Sequence, residues 1–330
     1  LGYFEEFFGN INVAVENQFL SSGYDADKRR IAKAFNRAAM HYDEVAVLQR
    51  IVGEQLLERL DLVRLSPAVV LDVGAGTGLQ TEGLLRRYRR AQVIALDLAP
   101  EMLNRARQRA GGKLPQTLTR ILKGVWRHFQ SGFSHFVCGD AECLPLANRS
   151  VDLIFSNLTL QWCWALDSVF AEFQRILKPG GLLTFTTLGP DTLKELRAAW
   201  SSVDNYQHVN PFMDMHDIGD GLIRAGLLEP VMDVERYTLT YPDAYKLMRD
   251  LRMLGAQTVG SGRQDGLMGK KRQQKMVQGY ELFRGEEGLP ASFEVVYGHA
   301  WGGYQIPQRR APDGAVKIPV HVLKGHSKSS

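Results

Sequence analysis

Apolar residues recur along the early part of the chain at spacings of three and four. Ile31, Ala34, Phe35, Ala38 and Ala39 form one series, and Leu48, Ile51, Val52, Leu56, Leu57 and Leu60 form another. That period predicts amphipathic helix over residues 26–60, broken near Tyr42 and Asp43. From residue 68 the pattern changes to short, nearly continuous apolar runs at 68–72, 92–97, 136–138, 151–157 and 182–188. Helical stretches are expected between them, at 79–89, from about Pro100, and at 166–177, the last closed by Lys178-Pro179-Gly180-Gly181. Short apolar strands alternating with helices predict an α/β fold, a mostly parallel sheet with helices on both faces. Helices are expected again at 191–203 and 216–225, and strands at 236–241 and 292–298. If those two strands pair antiparallel at the sheet edge, the mainly helical stretch 242–284 between them is an inserted lid. The expected organisation is a loosely ordered leader (1–25), one domain with its lid (26–303) and a tail (304–330) that is either strand or disordered. A basic, helix-like segment at 111–134 is an addition to the alternating pattern.

Composition narrows the class. The 330 residues are 45% hydrophobic and 23% charged, which is globular and enough for a full core. No apolar run has the roughly 18–20 residues of a membrane-spanning helix. The first residues carry acids and lack the basic start and apolar run of a signal peptide, so a cytoplasmic protein is expected. Cys138, Cys143 and Cys163 are an odd, sparse set without CxxC spacing, which fits a reducing compartment and offers no disulfide framework. No HExxH motif or other metal-ligand spacing is present, so no metal is expected. The net charge of +4 does not mark a nucleic-acid binder. Basic residues do cluster, at Lys28-Arg29-Arg30 with Lys33 and Arg37, at Arg86-Arg87 with Arg89-Arg90, and at Lys270-Lys271-Arg272 with Lys275.

The strongest local signal is Val69-Val70-Leu71-Asp72-Val73-Gly74-Ala75-Gly76-Thr77-Gly78. Gly74, Gly76 and Gly78 allow a tight strand-to-helix turn and close approach of a ligand. Dinucleotide sites use GxGxxG, but here Leu79 stands where the last glycine of that motif belongs. Asp72, just before the turn, suits a cationic ligand better than pyrophosphate. Together these favour S-adenosylmethionine, whose amino-acid end carries an ammonium and a carboxylate. Asp97 ends the second run, where its carboxylate can accept ribose hydroxyls, and Asp140 follows the third, where it can accept from an adenine amino group.

VLDVGAGTG, ALDLAPEML, GDAECLPL, SVDLIFSNLTLQW and RILKPGGLLTFTTLG resemble, in order, the motifs of the class I (Rossmann-like) methyltransferases. A closer resemblance is to the malonyl-carrier-protein O-methyltransferases of biotin synthesis. It rests on Lys33 to Ala39 with Tyr42, on Ser156-Asn157-Leu158 with Leu160-Gln161-Trp162-Cys163, on Leu196 to Trp200, on His208-Val209-Asn210-Pro211-Phe212, and on Met248-Arg249-Asp250-Leu251. The resemblance implies a seven-stranded sheet and methylation of the free carboxylate of a malonyl thioester on acyl-carrier protein. It implies S-adenosylmethionine held by Tyr42, Asp72, Gly74, Ala75, Gly76, Gly78, Asp97, Leu98, Asp140, Ala141 and Asn157. Gln161, Trp162, His208, Asn210 and Arg249 are the candidates for orienting the acceptor, with no general base required and Arg249 the expected carboxylate partner. The acidic carrier is expected to dock at the basic clusters 28–37 and 270–275 of a monomer, with neither nucleic acid nor membrane involved. Other readings are a complex I assembly hydroxylase of the same fold, a small-molecule methyltransferase, and a cofactor-binding regulator without catalysis.

Overall fold

A computed structural model describes residues 23–111, 134–255, 269–303, 309–310 and 316–317. The expected leader through residue 22, most of the 111–134 segment, residues 256–268 of the expected lid and most of the expected tail lie outside the described residues. Three helices come first: α1 (Gly23–Ala38), α2 (Tyr42–Val45) and α3 (Val47–Arg59). The alternating unit follows as β1 (Val69–Val73), α4 (Leu79–Arg87), β2 (Gln92–Asp97), α5 (Pro100–Gly111) and β3 (Ser134–Cys138). After it come β4 (Val151–Ser156), α6 (Leu166–Ile176), β5 (Leu177–Leu188), α7 (Lys194–Ser201) and α8 (Met215–Arg224). The chain then forms β6 (Leu228–Tyr241), α9 (Ala244–Met253), α10 (Lys270–Glu281) and β7 (Leu289–Trp301). In the tail, Arg309–Arg310 pairs antiparallel with Val316–Lys317.

The seven strands lie in the order β3-β2-β1-β4-β5-β7-β6. β1, β2, β3, β4 and β5 pair in parallel, and β7 runs antiparallel between β5 and β6. The chain moves outward from β1 to β3 and then returns to β4 on the other side of β1. Adjacent loops therefore part at the carboxyl ends of β1 and β4, the place where open α/β sheets bind ligands.

Burial explains why these segments choose strand and helix. Val70 of β1 joins the apolar layer formed with Leu48, Val52 and Leu56 of α3, whereas Leu71 and Val73 join the opposite layer with Val169, Phe170 and Phe173 of α6. Both faces are dry, so the central strands read as continuous apolar runs rather than as alternation. Each of those aliphatic and aromatic side chains contributes roughly 1.5–3 kcal/mol by leaving water.

Two segments differ from the sequence expectation. Lys178-Pro179-Gly180-Gly181 does not separate helix from strand; it is a bulge inside β5, with pairing passing from Val151–Leu177 to Leu153–Leu182. Gly180 supplies the positive φ (+75°) of that bulge, and its N–H donates to the Gly302 carbonyl at 2.9 Å. β6 is also longer than expected, 14 residues rather than the six at 236–241. Its exposure largely alternates along the edge of the sheet, so charged Asp233 and Glu235 sit comfortably in a strand.

Candidate active site

The turn after β1 is fixed by the neighbouring strand. Gly74 N–H and Ala75 N–H both donate to the Leu96 carbonyl, at 2.8 and 3.0 Å. Asp97 ends β2 and receives Gly76 N–H on one carboxylate oxygen and Ala99 N–H on the other, each at 2.8 Å. One side chain thus ties together the two loops that follow β1 and β2. Burial pushes the Asp97 carboxyl above the usual carboxylate range, against the pull of those backbone amides. Gly74 has φ +72°, and a Cβ there would overlap the Thr159 hydroxyl at 2.0 Å, so the turn accepts no side chain. At Gly76, by contrast, an added Cβ would meet nothing within 4 Å, because the turn faces an open cleft.

Asp72 is 1% exposed and accepts from Thr81 Oγ1 at 2.5 Å. Burial pushes its pKa up to about 7; the Thr81 hydrogen bond opposes the rise and the charge of Asp97 adds to it. Asp72 lines a small cavity with Gln49, Arg50, Gly76 and Gln80, next to the main cleft. The Oε1 of Gln49 and the Nε2 of Gln80 are buried in that region with no hydrogen-bond partner among the described residues. Two orphaned polar atoms and a buried acid at one place describe a polar binding surface.

The main cleft runs over Asp97, Leu98, Met102, Asp140 and Ala141 toward Asn157 and Trp162. Its roof is α1. Lys28, Ile31 and Phe35 share one face of that helix at spacings of three and four and line the cleft. Lys28 Nζ reaches Asp140 at 2.5 Å and Glu142 at 2.8 Å. In the middle, Asn36 Oδ1 accepts Glu101 N–H at 2.9 Å. Beyond the helix, Asp43 accepts from Thr77 Oγ1 at 2.6 Å and pairs with Arg109. The roof is therefore pinned from the end of β3 to the glycine turn. Tyr42 lies beneath it; burial, with Asp97 and Asp43 nearby, raises its phenol so that it stays neutral.

A second cavity meets the cleft at Gln161, Trp162, Cys163 and Leu188. A short 3-10 turn, Leu160–Trp162, presents these residues after β4. Gln161 is held by its Nε2 donating to the Leu158 carbonyl at 2.7 Å and its Oε1 accepting from Thr187 Oγ1 at 3.3 Å. Trp162 stands edge-on to Phe35, with ring centroids 5.3 Å apart. Asn157 bolts the wall together, donating to the Gln49 carbonyl and accepting from Thr186 Oγ1, both at 2.8 Å. Among the described residues no Lys, Arg, His, Asp or Glu lines the second cavity.

Of the residues singled out by sequence, Tyr42, Gly74, Gly76, Asp97, Leu98, Asp140, Ala141, Asn157, Gln161 and Trp162 line the main cleft. Asp72 and Ala75 line the small cavity, and Asn210 lines the second one. Gly78 lines none of the three; it lets α4 approach α5, since a Cβ there would sit 2.7 Å from the Cβ of Ala106. His208 also lines none. Its ring stacks on Trp200 at 3.7 Å and bonds Asp204 at 2.8 Å, which fixes the loop. Arg249 lines none of the three either. α9 buries Ala244 and Leu247 and packs Met248 and Leu251 against the core, so Arg249 falls on the opposite, exposed face. Sequence reasoning missed Lys28 as a cleft residue, together with Gln49, Arg50, Gln80, Glu142 and Thr159. The polar Gln80 in the first turn after the glycines was the one visible signal.

The family described as a methyltransferase domain matches residues 71–185. The chain is 48% identical over 303 residues to a malonyl-(acyl-carrier protein) O-methyltransferase of Laribacter hongkongensis, covering 92% of this chain and 98% of that one. A Methylovorus protein of the same name is 49% identical over 296 residues, covering 89% and 95%. The chain belongs to the malonyl-(acyl-carrier protein) O-methyltransferase family. Its fold also matches the solved YcgJ protein of Bacillus subtilis, which is 14% identical with a TM-score of 0.50, over 76% of this chain and 99% of that one. At that identity the likeness concerns fold alone.

The residues of this malonyl-carrier methyltransferase family member fit S-adenosylmethionine. Asp72 suits the ammonium, and a cation beside it would return its carboxyl toward the ionised form. Arg50, in the same cavity, suits the carboxylate. The orphaned Gln49 and Gln80 atoms offer an acceptor and a donor to the same polar end. Asp97 keeps acceptor capacity for ribose hydroxyls beyond the two amides it already holds. Leu98, Met102 and Ala141 give an adenine ring an apolar bed.

Proposed function

We propose that the protein transfers a methyl group from S-adenosylmethionine to the free carboxylate of a malonyl thioester on acyl-carrier protein, giving the methyl ester. The observation that carries this reading is the chemistry of the junction where the two cavities meet. Among the described residues the second cavity holds only one titratable side chain, Cys163. Burial, with Glu142 and Asp140 nearby, pushes its pKa up to about 12, so it remains a thiol. An amine or hydroxyl acceptor must lose a proton and would call for a base there. A carboxylate, with a pKa near 4, is already ionised and needs none.

When bound, S-adenosylmethionine supplies an electrophilic methyl group on a sulfonium, and its transfer to a carboxylate oxygen releases no proton. What remains for the protein is to orient and to exclude water. Gln161 and Trp162 line both cavities and stand where the acceptor must arrive. The Gln161 amide, fixed by Leu158 and Thr187, can donate to the carboxylate oxygen that does not react. A neutral donor holds that oxygen without neutralising the nucleophile, as a close Arg would. The roof of α1, closed on Trp162 by Phe35, keeps water from the methyl.

The same reading has an acidic carrier docking on basic surface. Lys28 is turned inward onto Asp140 and Glu142, which leaves Arg29, Arg30 and Lys33 exposed on α1. Lys270, Lys271 and Lys275 are exposed on α10. Activity on malonyl-carrier is expected to fall as salt rises to about 0.5 M, because screening removes such steering. The deciding experiment supplies radiolabelled methyl donor and malonyl-carrier. A labelled carrier that loses its label as methanol on base treatment is expected. No transfer, or a base-stable label, rejects the carboxyl methyl ester.

A further inference from the structure

We propose that the second cavity is the channel for the phosphopantetheine arm of the carrier, so that its walls hold the arm that brings the malonyl group to the cleft. The inference rests on the function proposed above and names the site that would bring its substrate in.

Three observations converge. The cavity opens into the cofactor cleft at Gln161 and Trp162, so anything lying in it presents its inner end to the methyl group. Its lining pairs apolar surface with neutral side-chain amides: Phe212 and Met213 on one hand, Gln207 and Asn210 on the other. An arm built of methylenes, a dimethyl group and two amides, and uncharged until its terminal phosphate, matches that lining, whereas a sugar, a nucleotide or a charged peptide does not. Finally, the rim is apolar yet open to water, with Trp164 42% and Met213 45% exposed.

The rim is joined on both sides to the basic surface. Glu142, which pairs with Lys28 of α1, also accepts the backbone N–H of Trp164 at 2.9 Å. On the other side, Arg272 of α10 lies over the ring of Tyr206, next in sequence to Gln207, at 5.2 Å. An acidic body seated between the exposed cations of α1 and α10 would have its arm at the mouth of the cavity. Charge complementarity and continuity with the cleft both select the carrier's arm over a second copy of this chain.

The test compares carrier bearing its arm with carrier lacking it, each titrated against the protein saturated with S-adenosylhomocysteine. The armed carrier is expected to bind about tenfold more tightly, the order of effect of burying a few methylenes and an amide. Met213→Glu, which sets a charge in the wall, should erase that difference and raise the KM for malonyl-carrier about tenfold, with S-adenosylhomocysteine affinity retained as proof of folding. Trp164→Glu is the second variant, at the rim, and should act in the same direction. Equal binding of the two carriers, or an arm effect that survives in both variants, overturns the inference. Arm-dependent binding without methyl transfer would reject the proposed reaction while leaving the channel in place; transfer without arm-dependent binding would do the reverse.

Discussion

The carboxyl edge of the sheet has two halves built on different principles. At β1 and β2 the site is made of backbone: Asp97 holds amides from two loops, and the glycine turn is closed by the Leu96 carbonyl. At β4 and β5 it is made of side chains packed across long sequence separations, as in Asn157 with Gln49 and Phe35 with Trp162. The first half carries buried and half-buried acids; the lining of the second cavity, among the described residues, carries no Lys, Arg, His, Asp or Glu. A cationic donor and an anionic acceptor are thus served by opposite strategies. On the proposed function the donor would meet acids, and the acceptor would enter along walls that, among the described residues, carry no cation to hold it back.

Substitutions in the two halves should therefore separate cofactor binding from transfer. The largest effect belongs to Asp97→Ala, which leaves two loop amides without their acceptor and removes the carboxylate expected to hold the ribose. Cofactor affinity should fall about 100-fold, near 3 kcal/mol, in a calorimetric titration. A residual affinity within threefold of the parent would mean that the loops do not depend on this carboxylate. Trp162→Ala should lower kcat/KM about 30-fold while changing cofactor affinity less than threefold, since it removes one wall of the junction and the contact with Phe35. Equal loss of both quantities would erase the proposed division.

The next effect is a pH dependence. Asp72 has a folded-state pKa near 7, well above its ordinary value of 3.8, so the ligand-free fold gives up stability as pH rises from about 4 through 7. A bound ammonium reverses the preference. Cofactor affinity should therefore climb as pH rises toward 7, by at most about tenfold per unit, and level off above it. Asp72→Asn should flatten the climb, and a profile equally steep in that variant would assign the titration elsewhere. The smallest effect is Arg249→Ala. On the exposed face of α9 it should change both stability and the KM for the acceptor by no more than about 0.5 kcal/mol. A large KM increase would return that arginine to the site by a rearrangement of α9.

The same division explains what was legible in the sequence. The glycine turn, Asp72 and Asp97 lie within 26 residues of one another and carry their meaning locally, as a strand, a turn and the next strand end. The alternation of apolar runs likewise announced the parallel sheet, because strands buried on both faces cannot alternate. The roof was not legible. Lys28 finds Asp140 across 112 positions, and no local pattern distinguishes it from Arg29 beside it. The position of Arg249 was illegible for the complementary reason. Sequence places a cation beside a recognisable motif, whereas the helix turns its apolar face inward and carries the arginine to the exposed side.

One helix, α1, shows Lys28, Ile31 and Phe35 to the cofactor chamber and Arg29, Arg30 and Lys33 to solvent. On the proposed docking, a carrier resting on the outer face would cover the helix that roofs the cofactor cleft. Loading and unloading of the small molecule would then be expected to alternate with the visits of the carrier. In steady-state terms that is an ordered sequence, cofactor first on and its demethylated product last off. Competitive product inhibition against the cofactor with mixed inhibition against the carrier would bear it out, and mixed inhibition against both would reject it.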